Sequence, residues 1–202
     1  MGLREQKKEA LRQRLYESAM AMFRERGFAA TRVRDIIDAA QVSEATFFNY
    51  FPTKESVLHH SSRDTKMFYG AYLSNLGSRP DEPAEDRLRE LARVVASVFD
   101  QDKAFMATIL GHTELLFGST DESKELDLAN YGLLTDLFRQ GQRRGEFDKT
   151  KDPSQLAEIY SAVELLTIQN WVTDWWGPET QTLESRLLSA VEVVLAGARP
   201  KS

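Results

Sequence analysis

Apolar side chains recur at spacings of three and four along nearly the whole chain, and no segment alternates apolar and polar residues between turn signals as a half-buried strand would. A chain with that single period builds helices and little else, so the expected fold class is all-α. Leu11, Leu15, Ala19 and Phe23 share one stripe of a first helix over about residues 6–26, which Gly27 stops. Thr31 can cap a short second helix whose inner face is Val33, Ile36, Ile37 and Ala40, and Ser43 can cap a third over 44–50 with Phe47 and Phe51 inward. Pro52 ends that helix, and Thr53 can cap a longer fourth one from Lys54 to about Leu76.

Residues 77–85 hold Pro80 and Pro83 and little apolar material, the mark of a linker. Residues 1–53 are therefore read as a small head, and residues 54–202 as a larger body that the fourth helix connects to it. In the body the same periodicity predicts helices at about 84–100, 103–117, 123–145, 153–176 and 181–198. The architecture expected is an N-terminal three-helix domain joined by a long fourth helix to a C-terminal helical bundle.

The 202 residues are 42% hydrophobic and 28% charged, which excludes disordered and fibrous classes. The absence of cysteine removes disulfides, thiolate metal sites and a cysteine nucleophile, and fits a reducing cytoplasm. The chain begins with charged residues, so neither a secretory leader nor a lipid anchor is expected. The most apolar stretches are interrupted by Glu164, Gln169, Asn170 and Glu192 and fall short of the ~18–20 residues of a spanning helix, so no membrane segment is expected. Phosphate loops, nucleophile elbows and dinucleotide-binding glycine patterns are missing from the sequence. His59 and His60 are adjacent and point to different helix faces, and His112 stands apart. No catalytic residue, metal site or cofactor is expected, and the chain is read as no enzyme.

Charge is divided unevenly. Residues 1–34 carry nine basic and four acidic side chains, whereas residues 61–202 carry 16 basic and 23 acidic ones, within a net charge of −5. A basic head on an acidic body orients a chain on a polyanion. Two short helices with the turn Gln41-Val42-Ser43 between them, packed on a longer first helix, form a helix-turn-helix, whose second helix enters a DNA major groove. The side chains left outside its apolar face suit that task. Asn49 can pair bidentately with adenine, Phe48 or Ala45 can pack on thymine methyls, and Thr31, Ser43, Tyr50 and Lys54 suit phosphate oxygens. Arg32 and Thr46 complete the candidate DNA-binding set.

The detailed run is more specific than the two-helix pattern. It reads Ala19-x-x-x-Phe23-x-x-x-Gly27-Phe28, Thr31-x-Val33-x-Asp35-Ile36-x-x-Ala39-Ala40, Val42-Ser43-x-x-Thr46-Phe47-Phe48-Asn49-Tyr50-Phe51 and Lys54-Glu55-x-x-Leu58. Over about residues 10–60 this resembles the tetracycline-repressor (TetR) family of bacterial regulators. The resemblance implies a homodimer on a palindromic, double-stranded operator, with a divergent helical body whose small-molecule effector releases the DNA. It places Thr31, Ala45, Asn49, Tyr50 and Lys54 at positions that usually touch DNA, Tyr50 and Lys54 chiefly at phosphate. Glu44 departs from the pattern, standing where a basic or small residue is common, and Phe48 lacks the hydroxyl of a tyrosine often found there.

In the body, the helix at 153–176 is apolar on two sides, with Leu156, Ile159, Val163 and Leu166 on one stripe and Leu165, Ile168, Val172 and Trp175 on another. Together with the helix at 181–198 it is read as the face that covers a second copy of the chain. Aromatic residues and polar groups inside apolar runs supply the candidate effector site: Phe105, His112, Phe117, Tyr131, Tyr160, Glu164, Trp171 and Trp175. These read as lining for a small apolar or aromatic molecule, and a buried Glu164 would need a partner that a cationic ligand could supply. The alternative reading is a helical adaptor, or a regulator that answers to a protein partner and holds no small molecule.

Overall fold

A computed structural model of the chain describes residues 2–101, 103–111, 120–175 and 181–200; at 104 and 105 only the backbone is described. Among these residues the chain is helical and holds no strand. The helices are α1 (Leu3–Arg26), α2 (Val33–Ala40), α3 (Glu44–Tyr50), α4 (Glu55–Gly77), α5 (Ala84–Asp100), α6 (Lys103–Gly111), α7 (Asp121–Arg144), α8 (Pro153–Val172) and α9 (Leu183–Ala198).

Local chemistry explains most of the boundaries. Ser43, Thr53, Thr120, Asp152 and Thr182 each accept a hydrogen bond from a backbone N–H two or three residues ahead, and so satisfy donors that the first helical turn leaves free. α2 starts differently from the expectation. Arg32, not Thr31, occupies the capping position, and the Asp35 carboxylate reaches back to accept from the Arg32 amide at 3.0 Å. α1 ends at Gly27 and α7 at Gly145, both at positive φ, where a residue without Cβ meets no penalty. α8 stops at Val172, short of the residue 176 that periodicity suggested.

Two compact units divide the chain, Met1–Arg63 and Asp64–Ser202, and the division falls inside α4. In the first unit α1 and α3 both pack on α2, around Leu15, Ala19, Phe23, Ile36, Phe47, Phe51 and Leu58. In the second unit α5 and α8 both lie against α9, and α7 lies against α8. Its core runs from Leu73 and Leu76 through Leu88, Leu91, Leu137 and Phe138 to Tyr160, Leu187 and Leu195.

Two features fix the second unit. Arg87 is fully buried on α5, and its guanidinium donates to the Leu76 carbonyl at 2.9 Å and to Gln140 Oε1 at 2.7 Å. Gln140 in turn donates to the Gly77 carbonyl at 3.2 Å, so the last two carbonyls of α4 are held by side chains of α5 and α7, that of Leu76 also accepting from the Arg79 amide at 3.2 Å. On the surface, Glu85 accepts from both Arg89 and Arg199, and Arg89 also pairs with Glu192, which ties α5 to α9.

Candidate nucleic-acid interface and effector cavity

The turn between α2 and α3 is tight because Gln41 takes a left-handed conformation, φ 53° and ψ 49°. Val42 then donates to the Ile37 carbonyl, and Ser43 sits extended to cap α3. Phe47 and Phe51 are buried, which turns the opposite side of α3 outward. Glu44, Ala45, Phe48 and Asn49 are exposed there, Thr46 and Tyr50 are half-buried, and Arg32 is exposed at the start of α2. The Thr46 hydroxyl shares a 2.8 Å hydrogen bond with Ser43 Oγ, so these two side chains also stiffen the first turn.

Two members of the candidate set have structural work. The Thr31 hydroxyl is buried and donates to the carbonyls of Gly27 at 2.8 Å and Met22 at 3.2 Å, which pins the α1–α2 connection to α1. The Lys54 ammonium donates to the carbonyls of Phe28 at 2.7 Å and Thr31 at 3.0 Å and lies 4.1 Å from the centroid of the Phe28 ring. It draws the start of α4 onto the same connection. An ammonium has three N–H groups, so one remains for an outside acceptor.

The second unit holds an open-sided cavity of about 720 Å³. α4 contributes Thr65, Lys66 and Tyr69, α5 contributes Val95 and Phe99, and α7 and α8 supply the remaining walls. Most of the lining is apolar, with polar groups at two places. Near one, Lys66 Nζ pairs with Asp127 at 2.6 Å and donates to Ser123 at 2.8 Å. At the other is Glu164 on α8, only 7% exposed. Its Oε2 accepts from the Tyr69 hydroxyl at 3.1 Å, whereas Oε1 is buried and has no hydrogen-bond partner among the described residues. Burial disfavours its charged form and pushes its pKa up to about 7, against the opposing pull of the Tyr69 hydrogen bond.

Of the residues singled out in the body, Tyr131 and Glu164 line this cavity. Tyr131 directs its hydroxyl to the Ser154 carbonyl at 2.6 Å. Tyr160 lies elsewhere, fully buried, with its hydroxyl donating to the Leu88 carbonyl at 2.8 Å. Trp171 packs in the core under the Lys103 ammonium, 4.7 Å from its ring. Trp175 follows the end of α8 and is 70% exposed. His112 and Phe117 lie outside the described residues, as does the side chain of Phe105.

Residues 15–60 match the family model for bacterial regulatory proteins of the tetR family. Over 159 residues the chain is 26% identical to the HTH-type transcriptional regulator LuxR of Vibrio harveyi, covering 75% of this chain and 74% of that one. Over 167 residues it is 25% identical to the HTH-type transcriptional repressor KstR of Mycobacterium tuberculosis, covering 80% and 71%. Residues 15–60 are a TetR-family domain. At the level of fold, it is similar to the TetR-family repressor FadR of Thermus thermophilus, solved in complex with lauroyl-CoA. The TM-score is 0.70 with 23% identity, covering 95% of this chain and 96% of that one.

The TetR match spans α1 beyond its first turns, all of α2 and α3, and the first residues of α4, so it holds the whole helix-turn-helix. The matched segment carries the DNA-binding helix-turn-helix of bacterial regulatory proteins of that family. Sequence reasoning passed over Thr65, Lys66 and Tyr69, which form one wall of the cavity. α4 was read as a connector, yet these three residues stand at i, i+1 and i+4, one side of a helix. A lysine and a tyrosine continuing the helical stripe of Leu73 and Leu76 were the available signal.

Proposed function

We propose that the protein is a repressor that binds a palindromic operator as a homodimer and is released when a small molecule fills the cavity of its second unit. The observation that carries the reading is the combination of an outward-facing α3 with a cavity of about 720 Å³, a size suited to a drug-like ligand. Ala45, Phe48 and Asn49 would read base edges, while Arg32, Ser43, Thr46 and Tyr50 would meet phosphates and set the register. Thr31 and Lys54 serve chiefly to hold the helix starts that approach the backbone, with the free N–H of Lys54 available to a phosphate. The lauroyl-CoA complex of the similar Thermus thermophilus repressor supports a small-molecule ligand for a chain of this fold. Repression is supported by KstR, a repressor by name. The ligand releases DNA by binding best to a conformation in which the two heads no longer fit successive major grooves, ~34–36 Å apart.

Operator binding tests the DNA half. Titration of the protein with fragments of its own upstream region, against scrambled DNA and across a salt series, is expected to give sequence-selective binding that weakens steeply with salt. Asn49→Ala should weaken binding by about 1–3 kcal/mol only at operators that retain the contacted base, with no loss of thermal stability. Equal weakening on every sequence would remove Asn49 from base reading.

The dimer is supported by the outer faces of α8 and α9. Ile159, Leu166 and Val193 are 45%, 57% and 75% exposed in the single chain, on the two helices whose double apolar pattern asks for a second cover. Leu166→Arg is expected to yield a monomer by sedimentation and to weaken operator binding at least tenfold, the loss of paired half-sites. A variant that stays dimeric would move the interface elsewhere.

A further inference from the structure

We propose that the effector is an amphipathic amine whose ammonium sits on Glu164 Oε1 and whose apolar body lies among Val95, Phe99, Leu134 and Ile168. This rests on the reading of the cavity as an effector site and adds the charge of what fills it. Three observations meet at one atom. Glu164 lines the cavity, and its Oε1 is fully shielded without any hydrogen-bond partner among the described residues. A buried carboxyl oxygen left in that state is costly unless something binds it. The one side chain that does reach the carboxyl, Tyr69, donates to the other oxygen, so Oε1 is the oxygen still lacking a partner, and an ammonium must edge the shielding side chains aside to reach it.

The protein offers the carboxyl no cation of its own among the described residues. Lys66, the basic residue that α4 brings to the cavity, is committed to Asp127 at 2.6 Å, and Lys124 of α7 lies near Asp121 at 3.9 Å. The other titratable groups around the carboxyl are phenols. Tyr69 and Tyr160 are held neutral, their pKa values raised by burial and by Glu164 itself, and Tyr131 of α7 spends its hydroxyl on Ser154. α5 presents only Val95 and Phe99. Phe99, Tyr69 and Tyr131 add three aromatic rings to the same lining, surfaces that attract a cation and reject an anion. A fatty acid would set a second carboxylate against the first, and a neutral alcohol would leave the charge of an ionised Glu164 uncompensated.

Because Glu164 in the empty cavity has its pKa raised to about 7, an ammonium must bind the ionised form and expel a proton when it meets the neutral one. Amine affinity therefore falls as pH drops through 7. Between pH 8 and pH 6 the decline expected from this one group is about tenfold, since each unit below the pKa costs a factor of ten in the ionised fraction.

The test uses three probes of one shape, 6-phenylhexylamine, 6-phenylhexanol and 6-phenylhexanoate, titrated calorimetrically into the full-length protein at pH 6, 7 and 8. The amine should bind at least about tenfold tighter than the alcohol at pH 8. It should release a proton at pH 6, seen as a heat that changes with the buffer, and the acid should bind weakest. In Glu164→Gln the amine and alcohol should bind alike at all three pH values. Should that variant fail to fold, the pH series and proton release of the parent protein decide alone. Binding of the alcohol or the acid as tightly as the amine overturns the amine assignment and leaves the cavity as an effector site. Binding of none of the three, with operator binding intact, overturns both the amine assignment and the effector reading, whereas loss of operator selectivity alone would touch only the DNA half of the proposed function.

Discussion

Gly141→Ala is expected to destabilise the second unit by about 2–3 kcal/mol, a fall in melting temperature of roughly 5–10 °C, while Gly132→Ala on the same helix is expected to stabilise it by about 0.5–1 kcal/mol. Both glycines lie inside α7, where alanine is the better helix former, so propensity alone would make both changes favourable. Surroundings reverse the sign at one of them. A Cβ at Gly132 meets nothing within 4 Å, whereas at Gly141 it would stand 2.4 Å from the Phe147 ring and 2.9 Å from Ala84 Cβ. The ring cannot step aside, because Phe147 is buried against Phe138, 5.3 Å away between centroids. Nor can the backbone, because the Gly141 carbonyl accepts from the amide of Glu146 at 2.9 Å and so closes the turn that brings Phe147 back onto α7. Thermal melts of the two variants beside the parent check the pair. If Gly141→Ala melts with or above the parent, the close approach of Phe147 is wrong.

Phe47→Ala should have the largest effect in the first unit, about 3–5 kcal/mol, from lost burial and the cavity left behind. The side chain is fully buried at the centre of the helix-turn-helix, with the rings of Phe48 and Phe51 at 5.4 and 6.0 Å. A unit of some 60 residues has a total stability of about 3–9 kcal/mol, so the substitution removes most of it. The expected result is loss of binding to every DNA sequence, with amides of α1 to α3 losing their protection from hydrogen exchange. Phe48→Ala one position on is the control: Phe48 is 41% exposed where Phe47 is fully buried, so stability should change far less, by about 1 kcal/mol, and DNA binding should respond while the fold persists. Retained protection in Phe47→Ala would mean that the packing of the three helices does not depend on that ring.

The helix-turn-helix was legible because everything that specifies it is local. The inward residues of α1 to α3 stand at helical spacing, Ser43 caps from the position just before α3 and Thr53 from two residues before α4, and Gly27 ends α1 where it must. Thr31 and Lys54 were less legible for the converse reason. The Lys54 ammonium bonds carbonyls 23 and 26 residues away, a distance no spacing rule covers, and a threonine before a helix reads as a cap even where its hydroxyl turns back to α1. The cavity was harder still. Its walls come from four helices far apart in the chain, so a residue's place on them depends on how the bundle closes. Glu164 could be found because a carboxyl inside an apolar run is conspicuous in itself. Tyr160 and Trp171 carry the same aromatic character as Tyr131 and went into the core, since helical spacing does not distinguish a ring that fills a bundle from one that borders a void.

The hold that Arg87 and Gln140 have on the last carbonyls of α4 sets how that helix can respond to anything entering beside it. With Leu76 and Gly77 clamped, α4 cannot slide along its axis without breaking the buried, charge-assisted Arg87 bond and the neutral Gln140 one. A molecule pressing on Tyr69 or Thr65 can only swing the helix about its fastened end, as a door turns on its hinge. Within the second unit such a swing is smallest at Gly77 and grows along α4 toward Asp64, so Thr65 would move further than Tyr69.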